Sequence, residues 1–267
     1  MTPESRRRAI AMMVTERGEC SIEQLAGHFG VSLQTVRSDV RQLTEQGLLL
    51  RRYGLVAPFA RENIGYRQRE IVNVSGKRWI GEQVAALLIE YPSCFLGTGT
   101  TVEMVALALP SDARLAVFTN NLHAAQPLSR LAGCDLTVAG GKLRKRDLDI
   151  IGGEALAFFS RYRVAIGVVS IGGIGEAGEL YDFNDEEVMA RHALLAGAAL
   201  KVLVVDSTKF GRSALCQNGT IADFHYVVSD RPPSTPQREA LQGAPTRWLC
   251  REKSGTPPDR ELAAVRE

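Results

Sequence analysis

The chain is poor in the residue groupings that mark several large classes of protein. Its five cysteines, Cys20, Cys94, Cys134, Cys216 and Cys250, are odd in number and widely scattered, and no CxxC pair occurs in the 267 residues. That excludes a zinc ribbon and argues against a disulfide framework, so reduced thiols and a cytoplasmic setting are expected. The four histidines, His28, His123, His192 and His225, lack ligand spacing, and no metal site is expected. No apolar run approaches the ~20 residues of a spanning helix, and no signal-peptide core follows the N-terminus, so no membrane partner is expected. Charge of one sign is also lacking. Thirty-two Lys and Arg meet thirty Asp and Glu, a formal net of +2. Composition is otherwise that of a soluble globular chain, with length enough for one large domain or two smaller ones.

Two styles of sequence follow one another. Residues 1–58 read as short helices ending in a basic turn. Residues 59–76 read as a polar linker, 77–252 as alternating strands and helices, and 253–267, rich in Pro and charge, as a mobile tail.

In the first part Ile10, Met13 and Val14 mark one face of a helix. Ser21 and Gln24 form a capping box for a second. Ser32 is the expected N-cap of a third, which Gly47 ends. Leu33, Val36, Val40 and Leu43 fall on one stripe of that third helix, the face expected to be buried. The opposite face carries Gln34, Thr35, Arg37, Ser38 and Arg41, side chains of the kind that read base edges and grip phosphates. "LLLRRYGLV" then reads as a hairpin with Arg51, Arg52 and Tyr53 near its tip. Three helices and a basic hairpin make a winged helix-turn-helix, its third helix directed to the major groove of double-stranded DNA. Residues 1–58 hold eight arginines and six acids, so placement rather than net charge carries this reading. A small helical interaction domain is the alternative.

In the second part, strands are expected at Cys94–Leu96, Leu115–Thr119, Leu136–Ala139, Val164–Ile171, Lys201–Val205 and Tyr226–Ser229, with a last one in Thr246–Cys250. The helices between them imply a largely parallel, Rossmann-like sheet. The strands end in small or polar loops, which is where such sheets bind ligands. The most telling is Gly97-Thr98-Gly99-Thr100-Thr101. No Lys follows, so it is not a Walker A loop. Its glycines bare the N-terminus of a helix, a place suited to anions. The same loop also reads as a capping box from Thr100 to Glu103, which needs no ligand. Thr119, Asn120 and Asn121 end the next strand. Gly140 and Gly141 precede Arg144, Lys145 and Arg146, and Lys209 follows Asp206-Ser207-Thr208. Together these point to a small phosphorylated metabolite.

"VSLQTVRSDVRQLTEQGLLLRRYGLV" resembles the helix-turn-helix and wing of the DeoR family of bacterial transcription regulators, with Thr35, Arg37 and Asp39 on its pattern. Ser38 and Tyr53-Gly54-Leu55 depart from it. "GTGTT", "TNN", "AGG", "DSTKFG" and "VVSD" follow in the order of that family's sugar-phosphate sensor domain. The resemblance implies an α+β N-terminal winged helix-turn-helix plus an α/β C-terminal sensor domain of the sugar-phosphate isomerase/deaminase type. It implies DNA-contacting residues Cys20, Ser21, Ser32, Gln34, Thr35, Arg37, Ser38, Asp39, Arg41, Arg51, Arg52 and Tyr53. It also implies effector residues Gly97, Thr98, Gly99, Thr100, Thr101, Thr119, Asn120, Asn121, Gly140, Gly141, Arg146 and Lys209. The effector would be glycerol 3-phosphate or a sugar phosphate, with no other cofactor, and the protein a dimer or tetramer on its operator. At Gly97 and Gly175 the family usually carries Asp. Losing two carboxylates removes acceptors for ligand hydroxyls and disfavours catalysis, which needs a base near the substrate. A regulator, not an enzyme, is therefore expected. A sensor domain that only holds an oligomer together is the alternative.

Overall fold

The computed structural model describes residues 1–45, 48–52, 54–58 and 65–251. Gly47, Tyr53, the first part of the expected linker and the expected tail lie outside the described residues. The chain divides into two compact units, Met1–Val74 and the part from Ser75 onward.

The first unit runs α1 (Pro3–Arg17), β1 (Cys20–Ser21), α2 (Ile22–Phe29), α3 (Leu33–Glu45), β2 (Leu49–Arg52), β3 (Leu55–Pro58) and α4 (Tyr66–Glu70). The helices start where the sequence supplies caps. The Thr2 hydroxyl caps α1. Ser21 and Gln24 close a reciprocal capping box on α2, which ends at Gly30 in the left-handed region. Ser32 Oγ accepts the Thr35 N–H at 3.1 Å. Ile10, Val14, Leu25, Val36, Val40, Leu43, Leu49 and Val56 form the core. Leu33 departs from the expected stripe. It sits at the first position of α3, beyond the packed turns, and is 42% exposed. β1 and β2 both pair antiparallel with β3. Part of the segment expected as a linker is folded, since Tyr66 of α4 is buried and Val72 packs on Leu50.

The second unit continues with α5 (Val74–Leu88), β4 (Ser93–Leu96), α6 (Thr100–Ala108), β5 (Leu115–Thr119), α7 (Leu122–Leu128), β6 (Cys134–Val138), β7 (Leu143–Arg144), β8 (Asp149–Ile150) and α8 (Gly153–Ser160). Then come β9 (Val164–Val169), β10 (Gly173–Ile174), β11 (Glu179–Asp182), α9 (Asp185–Ala196), β12 (Ala198–Val204), β13 (Cys216–Thr220), β14 (Tyr226–Ser229), α10 (Thr235–Ala240) and β15 (Arg247–Cys250). Seven strands form one sheet in the order β15-β14-β12-β9-β4-β5-β6, every pair parallel. Because successive strand residues face opposite ways, both faces need cover. Cys94, Leu96, Val202 and Val204 pack with α5, α6 and α7, whereas Phe95 and Leu203 pack with α8 and α9. From β4 the chain adds β5 and β6 on one side, then returns to add β9 and its successors on the other. The order therefore reverses between β4 and β9. At such a switch point the loops diverge and leave a crevice outside the strand ends.

Two small antiparallel additions were not legible as alternating strands and helices: the β7–β8 hairpin and the sheet β10-β11-β13. Among the described residues no helix is long and apolar enough to cross a membrane.

Candidate functional site

In the first unit the exposed face of α3 presents Gln34, Arg37, Ser38 and Arg41, with Thr35 half-buried beside them. These residues line an open groove of ≈ 840 Å³ together with Arg6 and Arg7 of α1 and Arg51 of β2. The far wall carries Gln68 of α4 and Ile71, neither of which the sequence had suggested. The side chain of Arg52 and all of Tyr53 lie outside the described residues.

Four of the expected DNA contacts are committed elsewhere. Cys20 is 4% exposed and belongs to the core. Ser21 spends its hydroxyl and its own N–H on the capping box with Gln24, at 3.1 and 2.7 Å. Asp39 is 3% exposed and accepts from Arg6 Nε at 2.6 Å, with Arg7 3.6 Å away. Asp39 thus ties the start of α1 to the flank of α3 and holds two further arginines on the groove. A lone Asp in a helix gives no sign of this, because its partners lie over thirty residues away. Ser32 is occupied in capping α3.

In the second unit, β4 runs into Gly97-Thr98-Gly99 and then α6. The expected capping box is not there. The N-cap is Gly99, at φ 111°, and no side chain caps α6. Thr100 and Thr101 fall inside the first turn, and Glu103 lies 3.9 Å from His123 instead. A residue with a Cβ would be strained at Gly99. The consequence is a helix N-terminus that no side chain caps, with the positive end of its dipole just after the end of β4.

The neighbouring strand end braces this loop. Thr119 Oγ1 donates to Leu96 O at 2.7 Å and accepts from the Asn121 N–H at 3.1 Å. Asn121 Oδ1 caps α7 through His123 and Ala124, and its Nδ2 donates to Gly97 O at 3.3 Å. Both side chains are bound to the backbone of these loops, which makes them positioning groups. Asn120 is different. Its Nδ2 donates to Ile150 O at 2.7 Å, while its buried Oδ1 receives no hydrogen bond.

At the switch point Gly97, Thr98 and Asn120 share a crevice with Ser170, Glu187 and Arg191, backed by apolar side chains including Phe159 and Leu194. Burial pushes the Glu187 carboxyl above its ordinary value, opposed by Arg144, to which it is paired. Arg144 also grips Asp149 with two bonds of 2.8 and 2.6 Å. Arg191 is paired with Asp182 and donates to Asn218 Oδ1 at 3.0 Å. Gly140, Gly141 and Arg146 are exposed and do not line this crevice. β6, the strand they follow, lies at the sheet edge, two strands from the switch. Gly141, at φ 137°, instead admits Glu154 of α8.

Lys209 follows the end of β12, next to β9 in the sheet. It is 8% exposed and acts on the fully buried Asp206. Lys77 of α5, also buried, acts on the same carboxylate and was not foreseen, since "SGKRWIG" reads as an ordinary helix. Burial opposes charge on Asp206, but Lys77, Lys209 and two Thr208 hydrogen bonds outweigh it and hold the carboxyl below its ordinary value.

Two family models match in sequence order, a DeoR-like helix-turn-helix domain over residues 6–58 and a DeoR C-terminal sensor domain over residues 72–231. The chain belongs to the DeoR family. A relative from Escherichia coli (strain K12), the glycerol-3-phosphate regulon repressor, is 36% identical over 90% of this chain and 96% of its own. The HTH-type transcriptional repressor CsqR of the same organism is 34% identical over 91% of this chain and 93% of its own. A looser likeness joins it to ribose 5-phosphate isomerase A from Neisseria gonorrhoeae, with a TM-score of 0.35 and 14% identity over 51% of this chain and 53% of that one. As a DeoR member the chain is a DNA-binding transcriptional regulator, and both curated relatives are named as repressors rather than enzymes.

Proposed function

We propose that this regulator represses genes of glycerol or sugar-phosphate metabolism and that a small phosphorylated metabolite, glycerol 3-phosphate first among them, sets its grip on operator DNA. The observation that carries the reading is the uncapped N-terminus of α6 at the switch point. Its amides would hold the phosphate, with Gly97, Thr98 and Gly99 allowing close approach. Lys209 follows the end of β12 on the same edge of the sheet, where it and Lys77 act on Asp206. The relative named for the glycerol-3-phosphate regulon supports this effector over other phosphates.

On the DNA side, Gln34, Thr35, Arg37, Ser38 and Arg41 of α3 would read base edges, and Arg51 the backbone. Arg6 and Arg7 join them as phosphate contacts held by Asp39. One head of this size makes few contacts, so the protein binds repeated or palindromic half-sites as a dimer or tetramer. A solution mass gives the state.

Calorimetric titration with glycerol 3-phosphate tests the effector, with glycerol and inorganic phosphate as controls. Saturable binding of glycerol 3-phosphate alone is the expected result. Silence, confirmed by a method independent of heat, would point to another phosphorylated ligand or to a sensor domain that serves only to hold the oligomer.

A further inference from the structure

The crevice at the switch point contains a void of ≈ 10 Å³, the size of one water or hydroxyl group. Asn120 is one of its walls and is 2% exposed. Donation from Nδ2 to Ile150 O fixes which end of the amide is nitrogen, so the atom left without a partner is the acceptor Oδ1. A buried amide oxygen without a donor is costly, and such groups in folded proteins call for an explanation.

Gly97 explains the space. Its backbone lies outside the left-handed region, so conformation does not demand glycine there. A Cβ would stand 3.4 Å from Val168 O and 3.5 Å from Leu194 Cδ1 and Val169 Cγ1, and Leu194 and Val169 are themselves walls of the void. The missing side chain therefore leaves this part of the crevice open. The charges around it are already matched, Glu187 by Arg144 and Asp182 by Arg191. A neutral donor suits such surroundings better than an ammonium group.

We infer that the void is a hydroxyl subsite of the effector crevice: a hydroxyl on the carbon chain of a phosphorylated polyol enters beside Gly97 and donates to Asn120 Oδ1. This rests on the phosphate-effector reading and narrows it. Phosphate esters that carry no hydroxyl at this position leave Asn120 unsatisfied and bind more weakly.

The test compares glycerol 3-phosphate with propyl phosphate, which has the same phosphate and carbon count but no hydroxyls, on the full-length protein. The wild type is expected to prefer glycerol 3-phosphate by at least about tenfold. Asn120→Ala should bring that ratio close to one by weakening glycerol 3-phosphate, with propyl phosphate changed by no more than about twofold. Gly97→Ala keeps Asn120 but fills the void with a methyl, and should cut the preference by a second route even if Asn120→Ala fails to fold. No preference in the wild type, or an unchanged ratio in the folded variants, overturns the subsite and leaves the phosphate reading standing. Binding of neither ester by the wild type overturns both.

Discussion

Single side chains divide here into those that reach outward and those that hold others in place. Arg37 is exposed on α3 and lines the groove, so Arg37→Ala should weaken operator binding by about 1–3 kcal/mol and relax selectivity at one base position. Arg51 stands on the wing. Arg51→Ala should weaken all sequences alike and lower the slope of binding against salt by about one. Gel-shift titrations over a range of salt distinguish the two, and an unchanged operator preference in Arg37→Ala would refute the assignment of α3. In the second unit Asp206 carries a depressed pKa. A carboxyl of that kind contributes stability above its ordinary value, and the contribution is lost as pH falls through the lower folded value. Asp206→Asn should therefore flatten the acid limb of the stability curve and lower stability at neutral pH. Glu187 has the opposite sign, since a raised carboxyl pKa lowers stability as pH climbs above its ordinary value. Denaturant melts of wild type and Asp206→Asn from neutral pH into the acid range separate the two contributions.

Elements were legible in the sequence wherever the signal was local. The caps of α2 and α3 are written within four residues, and Ser21→Ala should cost about 1 kcal/mol by removing one side of a capping box, read as a lower melting temperature of the first unit. The parallel strands were legible as apolar runs, although β6 and β12 begin earlier than expected because their first residues are polar or small. The loop before α6 misled, since Thr100 and Glu103 have capping-box spacing but the helix starts one residue sooner, at a glycine whose φ a threonine would resist. The β7–β8 hairpin and the β10-β11-β13 sheet escaped notice because each strand is short and its partner is set by tertiary packing. For the same reason Glu187, Arg191 and Lys77 were not placed at the site. Their relation to Asn120 or Asp206 arises only once the sheet order is known.

At the scale of the molecule, a DNA-reading unit and a sensor unit occur in one chain, and regulation requires that each bias the other. An effector that prefers one of two states of the protein shifts operator affinity, and linkage requires operator DNA to shift effector affinity by the same factor. The most direct measurement is the affinity for operator DNA, selected by the protein from a random pool, with and without saturating glycerol 3-phosphate. Effector affinity is then measured with and without that DNA. The account predicts a change of about 5- to 150-fold, equal in both directions. Operator affinity that ignores glycerol 3-phosphate while the protein demonstrably binds it would contradict the claim that this sensor controls the grip on DNA.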